Sequence, residues 1–399
     1  MIKEVDDDPT SGRQRHAWLD WLRAISILLV LSAHYTVDWS KAGLFKPIAM
    51  ANARIGWSGV DFFFIISGFL IGNLLLGEIE RYGHLDASRF YFRRLLKIWP
   101  LYYLACVIYV VTSPLIWDQT MVRGAVLITP ALIHIQNYIE PQAMGHLWSL
   151  AVEEHFYVLL PVLVSACLRL SKPWTFARNL ALTLAASIAI VIVARFASVL
   201  VLGMGSQQVR GYSHLRFDSL FGGVLLAWLY RFRPAFWHRL CVEPRLLVLP
   251  FLFGCVTFAF NTNHSIFVAT LGYSLVSVAF ASVLIFASRY DAIAPPHVLA
   301  RPLVMLAWIG RHSYPIYLFH PFIWRIMVAK FHIQEVVIQG SFTLRSAMWL
   351  AGIVVFGATS IGLGGLIGEL LERPLLKLRD RMIRPRTAAF EGSPALAMR

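Results

Sequence analysis

Charged side chains are scarce in this chain of 399 residues: Asp, Glu, Lys and Arg together make up 15% of it, while 58% is hydrophobic. The mean hydropathy is +0.63. Long apolar runs recur from one end to the other, which is not the pattern of a soluble globular protein of this size. The scarcity of charge therefore excludes an ordinary soluble domain. It predicts a polytopic helical membrane protein, because a helix satisfies its backbone polar groups internally within a bilayer.

Cysteine is also sparse, and the pattern of a cleaved signal peptide is missing. Cys106, Cys167, Cys241 and Cys255 stand singly, without the short spacings of a zinc site. We therefore expect no metal and no disulfide framework. The first sixteen residues, MIKEVDDDPTSGRQRH, lack the order of basic, apolar and small residues that marks a cleaved leader. The first helix is accordingly predicted to be an uncleaved anchor.

Ten apolar stretches approach or exceed the ~20 residues that a helix needs to cross a bilayer. They lie at 18–38, 57–76, 95–113, 147–169, 178–202, 214–231, 246–262, 266–288, 303–329 and 346–371. The ninth contains Gly310 and Pro315, which predicts a broken helix. A marginal apolar stretch within 114–146, AVLITPALIHI, is expected to lie in the interface instead of crossing. The predicted fold class is all-α and polytopic, with about ten transmembrane helices.

Basic residues are distributed unevenly between the two sets of loops that these spans define. With the N-terminus inside, the inner loops and the C-terminal tail hold most of the Arg and Lys residues. This bias places both termini in the cytoplasm. It also accounts for the net charge of +14, so we expect no nucleic-acid partner. The predicted layout is a cytoplasmic head at 1–16, a transmembrane domain at 17–378 and a cytoplasmic tail at 379–399.

The first span carries two ionisable residues, Arg23 and His34, near its opposite ends. Side chains eleven positions apart return to within about 20° of one helix face and are separated by ~16 Å along the axis. Ionisable groups at such depth cost roughly 2.5–3.5 kcal/mol on insertion scales and usually face a cavity or a partner. One stripe thus presents a cation near the inner surface and an imidazole near the outer one. The structural alternative is a snorkelling arginine and a buried, hydrogen-bonded histidine.

Several polar residues fall near the outer ends of the spans. They are His34, Asp38, Asp61, His146, Glu153, Glu154, Arg216 and Asp218. An imidazole paired with a carboxylate is held in one tautomer and gains basicity, so this group is suited to proton transfer. Glu153 lies seven positions after His146 and shares its helix face, whereas Glu154 is rotated by ~100°.

A second group of polar residues lies near the inner ends of the spans and is basic. We call Arg23, Arg93, Arg94 and Lys97 the inner basic group. Such a group suits a phosphorylated ligand that enters from the cytoplasm. The three members in RRLLKIWP are also typical of positive-inside anchors at a membrane surface.

Other candidates have structural alternatives as well. Asp38, four positions after His34, either orients the imidazole or ends the helix. Asp61 stands near a glycine-rich helix start, where an acidic residue also serves as a dipole partner or cap. Tyr317 and His320 lie in HSYPIYLFHP, where the first proline favours a structural kink over a direct part in binding.

Seven segments of the chain resemble membrane-bound acyltransferase family 3, the type that includes O-antigen and exopolysaccharide O-acetylases. The segments are LDWLRAISILLVLSAHY, GVDFFFIISGFLIGNLL, RRLLKIWPLYYL, HLWSLAVEEHFYVLLP, RFDSLFGGVLLAW, SYPIYLFHPF and ERPLLKL. They occur in this order between about residue 17 and residue 378. An ordered set over nearly the whole chain is far more specific than any one motif.

This resemblance implies an O-acyltransferase of the bacterial inner membrane that depends on acyl-CoA. The donor, expected to be acetyl-CoA, comes from the cytoplasm, and the acceptor is a hydroxyl of a cell-surface or exported glycan such as lipopolysaccharide. The family's arginine–histidine motif falls on Arg23 and His34, and its histidine is regarded as essential. The family's inner arginine pair corresponds to Arg94 and Lys97, and a lysine there lacks the bidentate fork of arginine. The esterase-like domain of some relatives is expected to be absent.

The resemblance and the helix geometry together give a mechanism. The nucleotide and diphosphate of CoA are expected at the inner basic group, and the pantetheine arm runs along the bundle towards His34. His34 then acts as a general base or carries the acyl group itself, and Asp61 or Glu153 orients the imidazole. The residues assigned to acceptor binding are Asp38, His146, Glu154, Arg216, Asp218, Tyr317 and His320.

Two other functions fit the same residues. One is an acyltransferase for a small hydrophobic hydroxylated molecule such as a macrolide. The other is a proton-coupled transporter or flippase, since intramembrane His and Asp also serve proton-coupled transport. The sequence shows no paired interrupted spans at matching places in two halves, which argues against transport. The acyl group, the acylated position and the oligomeric state stay open.

Overall fold

The structure, a computed structural model, describes residues 16–37, 42–139, 143–260, 265–291, 299–333 and 341–383. These residues are almost entirely helical and include no strand, which confirms the all-α class. Their α-helices are α1 (Ala17–His34), α2 (Lys46–Ile55), α3 (Gly59–Tyr82), α4 (Ala87–Ile116), α5 (Met121–Leu132), α6 (Trp148–Leu170), α7 (Phe176–Leu200), α8 (Ser206–Gly211), α9 (Phe217–Phe232), α10 (Pro234–Val242), α11 (Arg245–Cys255), α12 (Tyr273–Ser288), α13 (Ala300–Arg311), α14 (Ser313–Phe331), α15 (Phe342–Ile367) and α16 (Arg373–Met382).

The helices account for the ten predicted spans, but not equally well. Within the described residues, seven helical segments are long and apolar enough to cross a membrane. An eighth is obtained if α10 and Arg245–Ala259, which are bent by 84° to each other, form one span. The sixth predicted span is the 16-residue α9, and the ninth is split into α13 and α14. The polytopic prediction is confirmed, while length and composition alone support seven or eight spans and not ten.

The break predicted in the ninth span is present at His312. Gly310 permits a close crossing there, because a Cβ at this position would lie 1.7 Å from the carbonyl oxygen of Asp20 on α1. Pro315 falls in the first turn of α14, where its missing N–H costs no helical hydrogen bond. The marginal stretch between the third and fourth spans forms α5, whose 12 residues are too few to cross.

The first helix, α1, lies inside the bundle with one face turned outwards. It packs against α3, α12, α13, α14 and α15. Ile25 and Leu28, on the outward face, are 39% and 38% exposed. Ala24, Ile27 and Val30 are buried. The helix therefore has one face for lipid and another that faces the interior of the bundle.

Glycines bring α3 and α9 into direct backbone contact. A Cβ at Gly68 would lie 2.1 Å from the carbonyl oxygen of Leu220, and a Cβ at Gly223 would lie 2.3 Å from that of Ile65. Small residues allow this approach, which supplies the van der Waals contact that holds membrane helices together. The pair forms a rigid wall beside α1.

Candidate active site

One cavity lies at the inner end of the bundle, the side of the predicted cytoplasmic loops. Its volume is about 320 Å³, and residues from α1, α3, α4, α6, α14 and α16 contribute to its wall. The whole inner basic group lines it, together with Arg311, Arg373 and Arg379. Against these seven basic side chains the wall has three acidic ones, Glu153, Glu154 and Glu372. The cavity is therefore net positive and suited to an anion. We call it the inner cavity.

Neighbouring groups hold the basic side chains of the inner cavity in place. Arg23 contacts Asp20 at 3.1 Å, three positions earlier on α1. The guanidinium of Arg94 lies 5.7 Å from the ring centre of Phe90 and 5.6 Å from that of Tyr157. Aromatic faces attract cations without neutralising them. The charge of Arg94 thus stays available to a ligand, whereas Arg23, Arg373 and Arg379 form ion pairs with Asp20, Glu369 and Asp380.

The opposite wall of the inner cavity is apolar. It is formed mainly by α3, through Val60, Phe63, Phe64, Ile66, Leu70, Ile71 and Leu74. A cavity with a basic part and an apolar wall fits a ligand with an anionic head and a less polar arm.

The second cavity, which we call the outer cavity, has a volume of about 470 Å³. Its lining includes the imidazoles of His34 and His146, three amides and several aromatic rings. The residues are His34, Asn137, Tyr138, Gly145, His146, Trp148, Gln207, Gln208, Arg210, Gly211 and Tyr212. Arg23 and His34 thus line two different cavities, whereas the sequence predicts one path along α1 from the arginine to the histidine.

A thin layer of side chains divides the two cavities. Ser149 and Tyr317 line the inner cavity and His146 lines the outer one. The Tyr317 hydroxyl donates to the carbonyl oxygen of His146 at 2.6 Å and lies 2.5 Å from the Ser149 hydroxyl. Because a phenol has a single proton, Ser149 is the donor in the second bond. We call Ser149, Tyr317, His146 and His320 the partition.

His34 is held by its own helix and by the partition. Its Nδ1 lies 2.8 Å from the carbonyl oxygen of Val30, one turn earlier, so Nδ1 is the donor and Nε2 keeps its lone pair. The ring of His320 meets it edge to face, with the ring centres 4.7 Å apart. His320 itself donates from Nδ1 to Tyr317 at 2.7 Å, and its buried Nε2 has no hydrogen-bond partner among the described residues. Two imidazoles with basic Nε2 atoms therefore adjoin each other.

Asp61 and Glu153 do not take the orienting role predicted for them. Asp61 is buried and forms an ion pair with Arg216. Glu153 accepts a hydrogen bond from the Tyr157 hydroxyl at 2.9 Å and lines the inner cavity. Among the described residues, the carbonyl one turn earlier on α1 is what orients His34. A position near a span end did not specify which neighbouring helix each carboxylate would face.

Arg216 and Asp218 are also corrected, since neither lines the two cavities described above. The Arg216 guanidinium is buried, pairs with Asp61 and lies 3.6 Å from the ring centre of Tyr273. Asp218 pairs with the buried Arg195 at 2.7 Å. These residues form a network of ion pairs that connects α3, α7, α9 and α12. Their position does not fit the predicted role in acceptor binding.

The remaining predicted residues divide between the cavities. Glu154, which was predicted to bind the acceptor, lines the inner cavity and accepts a hydrogen bond from the Trp99 indole at 3.2 Å. His146 lines the outer cavity, while Tyr317 and His320 belong to the partition. Asp38 lies outside the described residues. Within the described part of the chain, no group of three or more His, Cys, Asp or Glu residues is placed to hold a metal ion.

Several lining residues were not predicted from the sequence. Arg373 and Arg379 lie among the basic residues near the C-terminal end of the chain. Arg311 lies in the ninth predicted span, which gives it no role in binding. The Glu-Arg-Pro start of the last quoted segment was a usable signal for Arg373. Arg210, in the short helix α8, lies in a predicted outer loop, and its position in the sequence indicates no role in a site. No periodic pattern in the sequence predicts that Arg210 shares a cavity with His34.

Comparisons with known proteins show which family the chain resembles. A family profile described as "Acyltransferase domain" matches residues 16–368. The O-acetyltransferase OatA of Staphylococcus aureus (strain NCTC 8325 / PS 47) is 27% identical over 343 residues, which cover 79% of this chain and 51% of that protein. The peptidoglycan O-acetyltransferase OatA of Listeria monocytogenes serovar 1/2a is 26% identical over 324 residues, which cover 76% of this chain and 48% of that protein.

The chain spans about half the length of these curated relatives. No solved structure matches it at a comparable level. The family profile, however, runs from the residue before α1 to the end of α15, and so includes both cavities and the partition apart from the contribution of α16. On that match, this chain belongs to the acyltransferase 3 family of membrane proteins.

Proposed function

We propose that this chain transfers an acetyl group from acyl-CoA in the inner cavity to a glycan hydroxyl in the outer cavity, with His34 as the general base. The observation that carries the proposal is the placement of Arg23 and His34. One face of α1 presents the guanidinium to a basic cavity and the imidazole to a polar one. The bacterial cytoplasmic membrane is the proposed location, with the basic cavity open to the cytoplasm.

The inner cavity supports CoA as the donor. Seven basic side chains match the phosphate and diphosphate groups of a nucleotide, and the arginines among them can bind phosphate through two parallel hydrogen bonds. The apolar α3 wall suits the pantetheine arm, which would lead from this cavity towards the partition. The thioester would then stand at Ser149 and Tyr317, close to the two histidines.

The transfer itself is an acyl exchange between sulfur and oxygen. The Nε2 atom of His34 takes the proton of the acceptor hydroxyl as that oxygen attacks the thioester carbonyl. A C–O bond forms, and the tetrahedral intermediate collapses with loss of the C–S bond. The CoA thiolate receives the proton from the His34 imidazolium, which returns the base to its starting state. His320, edge to face with His34, lies next to the positive charge that develops.

Relatives and cavity chemistry support the acetyl group and the glycan. The two relatives are named as O-acetyltransferases, and the Listeria protein as one that acts on peptidoglycan. The outer cavity is lined by amides, an arginine and two imidazoles. Such a wall favours a polar acceptor with several hydroxyls over the small hydrophobic molecule considered above.

The proposal is tested with purified protein in phospholipid nanodiscs, labelled acetyl-CoA and soluble glycan acceptors. Label should appear as an alkali-labile ester on the glycan. His34→Ala should lower the transfer rate at least ~100-fold, the lower range for loss of a general base. His238→Ala, at an exposed histidine of α10, is the matched control and should keep the wild-type rate. A folded His34→Ala protein with an unchanged rate would contradict the assignment, and glycan movement across the membrane without ester formation would favour transport.

A further inference from the structure

Arg210 is a cation that faces the outer cavity. It stands in α8 and lines the same cavity as His34. Its guanidinium lies 5.3 Å from the ring centre of Trp148, and its charge acts electrostatically on His34. No carboxylate of the described residues forms an ion pair with it.

Two other arginines, Arg195 and Arg216, differ from Arg210 in their burial and in their ion pairs. Arg195 and Arg216 are wholly buried, and each is paired with an aspartate of the structural network. Such pairing is the usual solution, because an unpaired charge away from bulk water costs much more than a paired one. Arg210, partly exposed to the cavity, departs from this pattern. A cation left unpaired beside a base in a binding cavity is ready for an anionic group on the ligand.

The rest of the lining has the chemistry of a carbohydrate site. Asn137 donates both amide hydrogens, to the Trp148 carbonyl at 2.9 Å and to the Ser213 hydroxyl at 2.8 Å, so the orientation of its amide is fixed. Its Oδ1 accepts no hydrogen bond from the described residues. The ring of Tyr138 is 47% exposed and lies 5.5 Å from that of Tyr212. Amides bind sugar hydroxyls, and exposed aromatic faces pack on the C–H face of a sugar ring.

The described residues that line the outer cavity carry positive charge only. Among the described residues of this lining there is no aspartate or glutamate, and Arg210 is the one with a permanent charge. The volume of about 470 Å³ is in the range of small-ligand pockets. A neutral sugar would leave the guanidinium without a partner, whereas an acidic sugar would supply one.

We propose that the outer cavity selects saccharides that carry a carboxylate, and that Arg210 binds this group. The inference rests on the proposed function in one respect, which is that the outer cavity is the acceptor site. Because Arg210 and His34 line one cavity, the carboxylate belongs to the acylated sugar or to its immediate neighbour in the glycan. The ligand class is thus an acidic oligosaccharide, with a free hydroxyl near its anionic group.

A direct binding measurement tests the proposal without requiring turnover. The probes are an oligosaccharide of alternating glucose and glucuronate residues and its carboxyl-reduced, neutral counterpart. Binding of each to the full chain is measured by microscale thermophoresis in phosphatidylcholine nanodiscs, which carry no net charge. The variants are Arg210→Gln and Arg210→Lys, with Arg123→Gln as the control, since Arg123 is an exposed arginine of α5 on the predicted outer side.

The wild-type protein should bind the acidic oligosaccharide about tenfold or more tightly than the neutral one, as expected for hydrogen bonds to a charged group. Arg210→Gln should remove this preference while it keeps the affinity for the neutral oligosaccharide, which also shows that the variant is folded. Arg210→Lys should keep part of the preference, and Arg123→Gln should keep all of it.

Two results would overturn the inference: equal wild-type affinity for the two oligosaccharides, or an equal loss of affinity for both in Arg210→Gln. The second result would mean that Arg210 supports the shape of the cavity but does not bind the carboxylate. An acidic preference in a protein that forms no ester would support the inference and contradict the proposed function. Ester formation without any preference would do the reverse.

Discussion

At the scale of single residues, His320 lies beside the proposed base with one of its ring nitrogens left without a hydrogen bond from the described residues. Its Nδ1 is used in a hydrogen bond to Tyr317, while its Nε2 is buried without a partner among the described residues. A buried acceptor in this state costs free energy, typically about 1–3 kcal/mol. Next to His34, this nitrogen can stabilise the imidazolium that forms during transfer, since its lone pair then lies close to a positive charge.

His320→Phe should therefore lower the rate of transfer and leave donor binding largely intact. Phenylalanine keeps a ring against His34 but has no acceptor nitrogen, so the developing charge loses its neighbour. We expect kcat to fall roughly tenfold, in line with one hydrogen bond to a charged group, and KM for acetyl-CoA to change little. Steady-state kinetics with His238→Phe as the control measures both. An unchanged kcat, or a rise in KM alone, would show that His320 acts only in packing.

At the scale of helices, the site depends on how closely α3 approaches α9. Gly68 and Gly223 allow the backbones of α3 and α9 to touch. This close approach brings Asp61 of α3 within reach of Arg216, the residue before α9. The pair is fully buried, so its members stay compensated only while the helices keep their spacing. Separation of α3 from α9 would also shift the apolar wall of the inner cavity, which α3 forms.

Gly68→Ala should lower the stability of the protein, and Gly357→Ala should not. A Cβ at Gly68 would stand 2.1 Å from a backbone oxygen, which only a movement of α3 or α9 can relieve, whereas a Cβ at Gly357 in α15 meets no atom within 4 Å. Overpacking of this kind costs roughly 1–3 kcal/mol. Thermal unfolding in detergent, followed by tryptophan fluorescence, compares the two substitutions directly. Similar transition temperatures for both would mean that the helices can separate without cost.

The sequence predicts the helices well and the pairing between them poorly. Apolar runs and loop charges depend on neighbouring residues, so the helical spans and the inner basic group follow from local patterns. The spacing of Arg23 and His34 is also local, being a property of one helix. The partner of Asp61 stands 155 positions away, and Arg210 of α8 lines the same cavity as His34 although 176 positions separate them. Periodicity contains no information about such contacts, which explains why the partners of the acidic residues were not predicted.

At the scale of the whole molecule, the partition decides whether two cavities act as one enzyme. The inner cavity faces the side that holds CoA in the proposed function, and the outer cavity faces the acceptor. Tyr317 connects α14 to the segment before α6 through the carbonyl of His146, and to α6 itself through Ser149. The phenol therefore closes direct passage between the cavities in this arrangement, and it has to move aside when the acceptor hydroxyl attacks the thioester. While it stays in place, it keeps water of the outer cavity away from a thioester in the inner one.

Tyr317→Ala should uncouple donor breakdown from transfer. Loss of the ring would join the two cavities, and water would then replace the acceptor hydroxyl as the nucleophile, so that acetyl-CoA and water give acetate and CoA. We expect the hydrolysis of acetyl-CoA without acceptor to rise severalfold and the yield of ester per CoA released to fall. Tyr314→Ala is the matched control, because Tyr314 lines the inner cavity but bonds to the Ile98 carbonyl at 2.7 Å, away from the partition. A thiol assay for CoA release, run beside the ester assay, separates the two reactions. If both variants hydrolyse the donor at the wild-type rate, the barrier between the cavities is not made by this phenol.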